Sequence, residues 1–190
     1  MYRGMTAVGL GALVALGVVE ARQTGMRARA DLKGDGITGS MELREVPAKT
    51  DGAADPKFIT GTTAVEITVN VTGLKPGAHG LHLHAVGKCD APDFNSAGGH
   101  VDPGPHGVMD PDTNHPFHMG DLPNLVADAS GKATLKAVTT RVTLSAGPLS
   151  VFDGDGTAVI VHGNPDQGVT GEAKSGVSGG PRVGCGVVTK

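Results

Sequence analysis

Thr63-Ala64-Val65-Glu66-Ile67-Thr68-Val69-Asn70-Val71 decides the fold class. Val65, Ile67, Val69 and Val71 fall at every second position, with Glu66, Thr68 and Asn70 between them. Successive side chains of a strand point to opposite faces, so this segment buries one face and wets the other, as strands of antiparallel sheets do. On its N-terminal side, Met26 to Lys33 reads as a first strand ended by the turn Gly34-Asp35-Gly36, with Ile37 to Val46 as its hairpin partner. On its C-terminal side, Gly80 to Val86 forms another strand, and Asn124 to Val138 reads as a hairpin turning at Ser130-Gly131. Thr157 to His162 and Arg182 to Thr189 complete the set. About eight strands with almost no helix signal predict an antiparallel sandwich or barrel.

Composition agrees with short strands and many turns. The 190 residues include 31 Gly and 12 Pro but only four Phe, one Tyr and no Trp. One domain with a real core is expected at this length. The net charge of -3 offers no basic field for nucleic acid or anionic lipid, so no nucleic-acid partner is expected. Lys88 to Pro123 and Gly163 to Pro181 interrupt the strand spacing with long polar segments rich in Gly, the first also in Pro, Asp and His. Long irregular segments in a small domain usually carry function or are disordered.

The N-terminus reads as a targeting segment. Arg3 supplies positive charge, and Met5 to Val19 is apolar yet short and Gly-interrupted for a membrane span. Val19-Glu20-Ala21 resembles a cleavage site; a second such triplet, Ala28-Arg29-Ala30, would cut into the first strand. Residues 1–21 are expected to be a signal peptide, or an N-terminal membrane anchor if uncleaved, and residues 22–190 the domain. Export to the periplasm, cell envelope or medium follows. Cys89 and Cys185 are compatible with one disulfide in an oxidising compartment, or with two separate buried thiols.

All eight histidines lie between His79 and His162, and clustering of this kind asks for a metal. In a strand, His82 and His84 point to the same face, so both imidazoles can reach one ion. Surface histidines share that spacing, and only convergence with other donors gives it weight. The long segment adds His100, His106, His115, His118 and Asp121, and a later strand ends in His162. Imidazoles suit copper and zinc, and a carboxylate added to imidazoles favours zinc.

Five blocks resemble successive signatures of the copper,zinc superoxide dismutases, most closely their bacterial exported branch. They are Leu32-Lys33-Gly34-Asp35-Gly36, Gly80-Leu81-His82-Leu83-His84, the run from Ser96 to Pro103 (SAGGHVDP), His118-Met119-Gly120-Asp121-Leu122-Pro123, and the run from Gly180 to Val187 (GPRVGCGV). The resemblance spans roughly residues 26 to 190. It implies an eight-stranded antiparallel Greek-key sandwich or barrel, immunoglobulin-like, with long metal-binding and electrostatic loops. It implies superoxide as substrate, disproportionated to dioxygen and hydrogen peroxide by cycling Cu(II)/Cu(I). Copper would be held by His82, His84, His100 and His162, and zinc by His100, His118, Asp121 and one further histidine. His106 is assigned to that last place, although it stands only six residues after His100 where the family uses eight or nine; His115 is the alternative. Asp166 matches the carboxylate that orients ligands of both metals, Cys89 and Cys185 match the family disulfide, and Arg182 matches the anion-positioning group. His100 would also exchange a proton during turnover. Lys174 would help steer superoxide, while Glu172 and the net charge would oppose it. His79 matches a structural histidine. The assembly is expected to be a monomer or a homodimer.

Two other readings make different demands. A non-catalytic copper or zinc carrier, or a chaperone-like protein on the same fold, would lack a copper ligand or the arginine, and this chain lacks neither. A secreted adhesion sandwich with incidental histidines would not explain the ordered blocks.

Overall fold

The computed structural model describes residues 25–48, 63–102, 118–169, 171–172 and 175–190. Eight strands run β1 (Arg27–Lys33), β2 (Thr38–Pro47), β3 (Thr63–Thr72), β4 (Gly77–His84), β5 (Asp121–Ala127), β6 (Ala133–Thr139), β7 (Ala158–His162) and β8 (Arg182–Val187). One 3₁₀ turn, Asn95–Ala97, is the only helical element among the described residues. The strands form one antiparallel sheet in the order β5-β4-β7-β8-β1-β2-β3-β6, so the chain crosses between halves from β3 to β4 and again from β5 to β6, a Greek-key arrangement curled into a barrel.

The alternation read from residues 63–71 is the packing. Val65, Ile67, Val69 and Val71 are all buried in the main core, beside Ala30 and Leu32 of β1 and Met41 and Leu43 of β2. Burying each such aliphatic side chain contributes roughly 1.5–3 kcal/mol. The β1–β2 hairpin turns at Gly34-Asp35-Gly36, where Gly34 and Ile37 exchange backbone hydrogen bonds and Gly36 takes a positive φ of 68° that a side chain would resist.

β4 and β7 differ from the other strands because both of their faces are covered. Leu81 and Leu83 pair with Val161 and Val159, and all four enter the main core. The opposite face of the same ladder pairs His82 with Ile160 and His84 with Ala158. There Ile160 and Ala158 join Phe94, Ala97 and Cys185 in a second buried cluster, formed between the barrel wall and the segment that follows β4. The wall thus places its histidines on the outer face, beneath a covering loop.

The turn expected at Ser130-Gly131 is present, closed by Asp128 N–H to the Lys132 carbonyl at 2.8 Å. The strands flanking it do not form the expected hairpin ladder: β5 pairs with β4 and β6 with β3, at opposite ends of the sheet order. Tertiary pairing overrides local proximity here. β5 also begins earlier than the sequence suggests, at Asp121, so Pro123 sits within a strand. It is exposed and lies where the β4–β5 register shifts between His79 and Leu81, a bulge that tolerates a residue without an N–H. β4 likewise begins at Gly77, which places His79 inside it.

Candidate metal centre

Four imidazoles meet on the outer face of the wall. His82 and His84 come from β4 and His162 from the end of β7; His100 follows the 3₁₀ turn and forms an isolated antiparallel bridge with His84. Ring centroids lie 4.0 Å apart for His82 and His100, 4.7 Å for His82 and His162, and 4.8 Å for His84 and His100. Each ring offers a donor atom, all within 4.8 Å of one another.

The tautomers are set by the surrounding acceptors. His84 Nδ1–H donates to the Gly98 carbonyl at 2.8 Å and His162 Nδ1–H to the Gly180 carbonyl at 3.0 Å. His82 Nε2–H donates to Asp166 Oδ2 at 2.7 Å. What remains on each ring is a lone pair: His82 Nδ1, His84 Nε2 and His162 Nε2 are buried and have no hydrogen-bond partner. Buried polar atoms are almost always paired, so three such orphans beside one point fit a cation there. Burial also holds two of these rings neutral: it pushes His162 down to about 3 and His84 well below its ordinary value, with neighbouring imidazoles adding to both shifts. Unprotonated rings are the form that binds metal.

A second group adjoins the first through His100. Donor atoms of His100, His118 and Asp121 also lie within 4.8 Å of one another. His100 Nδ1 is 2.7 Å from Asp121 Oδ1, and Asp121 Oδ2 accepts the His118 backbone N–H at 2.8 Å. Burial lowers His100 to about 4 even though Asp121 pulls the other way. Burial would raise the Asp121 carboxyl, but the bonds from His100 and His118 outweigh it and hold the group well below the carboxylate range. A neutral imidazole shared between two donor sets, one all-nitrogen and one containing a carboxylate, fits a copper and zinc pair.

The surroundings fix these side chains. Asp166 is held by a reciprocal pair with Asn124, Asp166 N–H to Oδ1 and Nδ2–H to the Asp166 carbonyl, both at 2.9 Å. Its Oδ1 accepts the Gly168 N–H at 2.7 Å while Oδ2 meets His82. Gly179, at φ 103°, allows close approach to His162, where an added Cβ would stand 2.6 Å from the His162 Cβ. Cys89 and Cys185 form a disulfide with Cα atoms 5.7 Å apart, which pins the segment after β4 to β8. From the start of β8, Arg182 donates to the Phe94 carbonyl at 2.8 Å and the Gly98 carbonyl at 2.7 Å. The guanidinium also lines a cleft of about 880 Å³ that reaches His84, His100 and His162, with Asp93 and Asn164 on its walls.

The structure therefore brings together His82, His84, His100, His162, His118, Asp121, Asp166 and Arg182. His79 stands apart from the donor groups, its ring nitrogens 2.7 Å and 2.8 Å from the carbonyls of His162 and Lys75. His106, His115 and Lys174 lie outside the described residues, as does the whole of residues 1–21. Sequence reasoning missed Asn124, Gly179 and Arg141. Asn124 directly follows a quoted block and Gly179 directly precedes one; Arg141 carries no local signal, because its partners are remote in sequence.

Barrel and donors together define a metalloprotein with two adjoining cation sites. The sequence profile of the family described as Copper/zinc superoxide dismutase (SODC) matches residues 51–188. A relative named Superoxide dismutase [Cu-Zn] in Caulobacter vibrioides is 38% identical, covering 74% of this chain and 82% of its own. Another of the same name, from Deinococcus radiodurans, is 34% identical over 98% of this chain and 97% of its own. Among solved structures, a SOD-like protein from Bacillus subtilis superposes with a TM-score of 0.63 at 28% identity, covering 84% of this chain and 96% of that one. The chain belongs to the copper/zinc superoxide dismutase family. Membership makes it an oxidoreductase with copper and zinc as cofactors.

Proposed function

We propose that the chain disproportionates superoxide, converting two superoxide anions and two protons to dioxygen and hydrogen peroxide. His82, His84, His100 and His162 would hold copper. His100, His118, Asp121 and one further histidine, His106 with His115 as the alternative, would hold zinc. Copper supplies a centre that accepts one electron as Cu(II) and returns it as Cu(I), which zinc cannot do. Arg182, with its permanent charge and several donors, binds and orients the small anion at the inner end of the cleft. His100 would carry a proton at Nε2, the ring nitrogen not engaged with Asp121, only while that nitrogen does not hold copper, and would pass it to the departing peroxide, with water supplying the second proton. Asp166 keeps His82 in the Nε2–H tautomer.

The observation that carries this reading is the convergence of three buried, partnerless imidazole nitrogens whose opposite nitrogens are all committed to protein acceptors. The test is metal analysis with superoxide turnover for the parent, His162→Ala, His106→Ala and His115→Ala. His162→Ala is expected to abolish turnover. His106→Ala is expected to lose chiefly zinc; if it retains zinc and His115→Ala does not, the ligand is His115.

We also infer that residues 1–21 direct export and are removed, so that antioxidant defence takes place outside the cytoplasm. The disulfide and the bacterial relatives support this. Among the described residues, no helix is long and apolar enough to cross a membrane. The mass of the protein recovered from the cell envelope tests it: a chain beginning at Arg22 is expected, and an intact N-terminus would indicate an anchor.

A further inference from the structure

β5 and β6 stand at the two ends of the sheet order, and no strand ladder joins them. β5 begins with Asp121, a residue of the second donor group, which pairs with His82 of β4 on one edge; the edge toward β6 has no ladder to hold it. Two residues beyond β6 stands Arg141. Its backbone N–H donates to Thr139 Oγ1 at 3.2 Å, which sets the direction in which the chain leaves the strand. Its Nη1 donates to the His118 carbonyl at 2.8 Å and its Nη2 to the Asp121 carbonyl. One planar fork thus holds both backbone carbonyls of a short turn whose side chains are both donors. The turn is closed internally by Asp121 N–H to the His118 carbonyl at 3.2 Å, so His118 and Asp121 move as a unit.

The charge environment is consistent with this placement. Burial opposes the guanidinium charge, and the carboxylates of Asp121 and Asp102 support it. Asp102 follows His100 by two residues, so acids from both stems of the 103–117 segment face the same cation. The carboxylate oxygens of Asp121 are engaged by His100 and the His118 N–H, and the arginine takes the carbonyls.

We propose that Arg141 is a positioning residue for the zinc side of the centre: it bridges the open seam between β6 and β5 and holds the His118–Asp121 turn in ligating geometry. This rests on the reading that His118 and Asp121 bind zinc. Two effects compete. A cation near a zinc site repels the ion, whereas a fixed turn preorganises its ligands, and the proposal requires preorganisation to win.

The experiment compares the parent with R141M, R141K and D121N, measuring zinc and copper affinity separately by chelator competition. The visible spectrum of cobalt(II) bound in place of zinc gives a second readout. R141M is expected to weaken zinc by about 10- to 100-fold, the usual effect of losing a group that orients ligands, while copper, three of whose four ligands stand on β4 and β7, changes by less than about twofold. The cobalt bands are expected to change in R141M, and R141K, which keeps the charge but loses the fork, to lie between R141M and the parent. Zinc affinity in R141M equal to or tighter than the parent's overturns the proposal, and so does an equal loss from both sites. If D121N loses zinc and R141M does not, only the role of Arg141 falls; if D121N itself retains zinc, the ligand assignment falls with it.

Discussion

His84 and Arg182 share one acceptor: the Gly98 carbonyl takes the His84 Nδ1–H at 2.8 Å and the Arg182 Nη2–H at 2.7 Å. Gly98 itself has φ 73°, and its carbonyl ties a ring of the four-imidazole group to the arginine that lines the cleft. Arg182→Lys keeps the charge and loses the fork. Its kcat/KM for superoxide is expected to fall about tenfold, roughly the worth of one charge-assisted bond, with copper content unchanged. A parallel loss of copper would show that the arginine acts chiefly by holding the loop.

The cleft also has a charge that would work against an anionic substrate. Among its described lining residues Arg182 is the one permanent cation and Asp93 the one carboxylate. Asp93→Asn is expected to raise kcat/KM about twofold at low ionic strength, the size of one screened charge at a cleft mouth. The difference should close near 1 M salt, where the Debye length is about 3 Å. A salt-independent gain would point to a change of shape rather than of field.

The disulfide closes a loop with a sequence separation of 96. Replacing both cysteines with serine is expected to cost about 2–5 kcal/mol in unfolding free energy, read from urea denaturation. Because Arg182 still holds the Phe94 and Gly98 carbonyls, copper turnover in the folded variant should fall less than it does in Arg182→Lys.

Acid sensitivity follows from the buried rings. His100 is held near 4 and His162 near 3 by burial, so between those values and 6.5 the unfolded chain takes up protons that the folded chain refuses. Stability of the metal-free protein therefore falls as pH drops below about 6.5, by about 1.4 kcal/mol per pH unit for each ring. It levels off for each ring below its folded value. Above about pH 6.5 both rings are neutral in either state and the slope vanishes. Asp121 and Asp166, held below the ordinary carboxylate value of 3.8, extend the loss to lower pH. Urea titrations of chelator-treated protein check this, and equal midpoints at about pH 7 and about pH 5 would contradict it.

The legible parts of this chain are those written in short-range pattern. Alternation at residues 63–71 sets β3, and the His82, His84 pair sits where strand parity puts it. The partners of β5 and β6 are not legible, because the Ser130-Gly131 turn signals a reversal of direction but not which neighbour each strand takes. Arg141 was silent for the same reason: its partners His118 and Asp121 are 23 and 20 residues away, and Thr139-Thr140-Arg141-Val142 looks like any polar strand exit. Asp166 was found only through resemblance, since a loop aspartate four residues after a histidine has no intrinsic direction.

Because Leu81 and Leu83 fill the barrel while His82 and His84 occupy its outer side, a single ladder register governs two unlike chemistries. Inserting or deleting one residue ahead of Leu81 would exchange the roles, turning imidazoles into the oil and leucines toward the ions. The register that folds this wall is therefore also the register that presents its imidazoles, and a slip in one is a slip in the other.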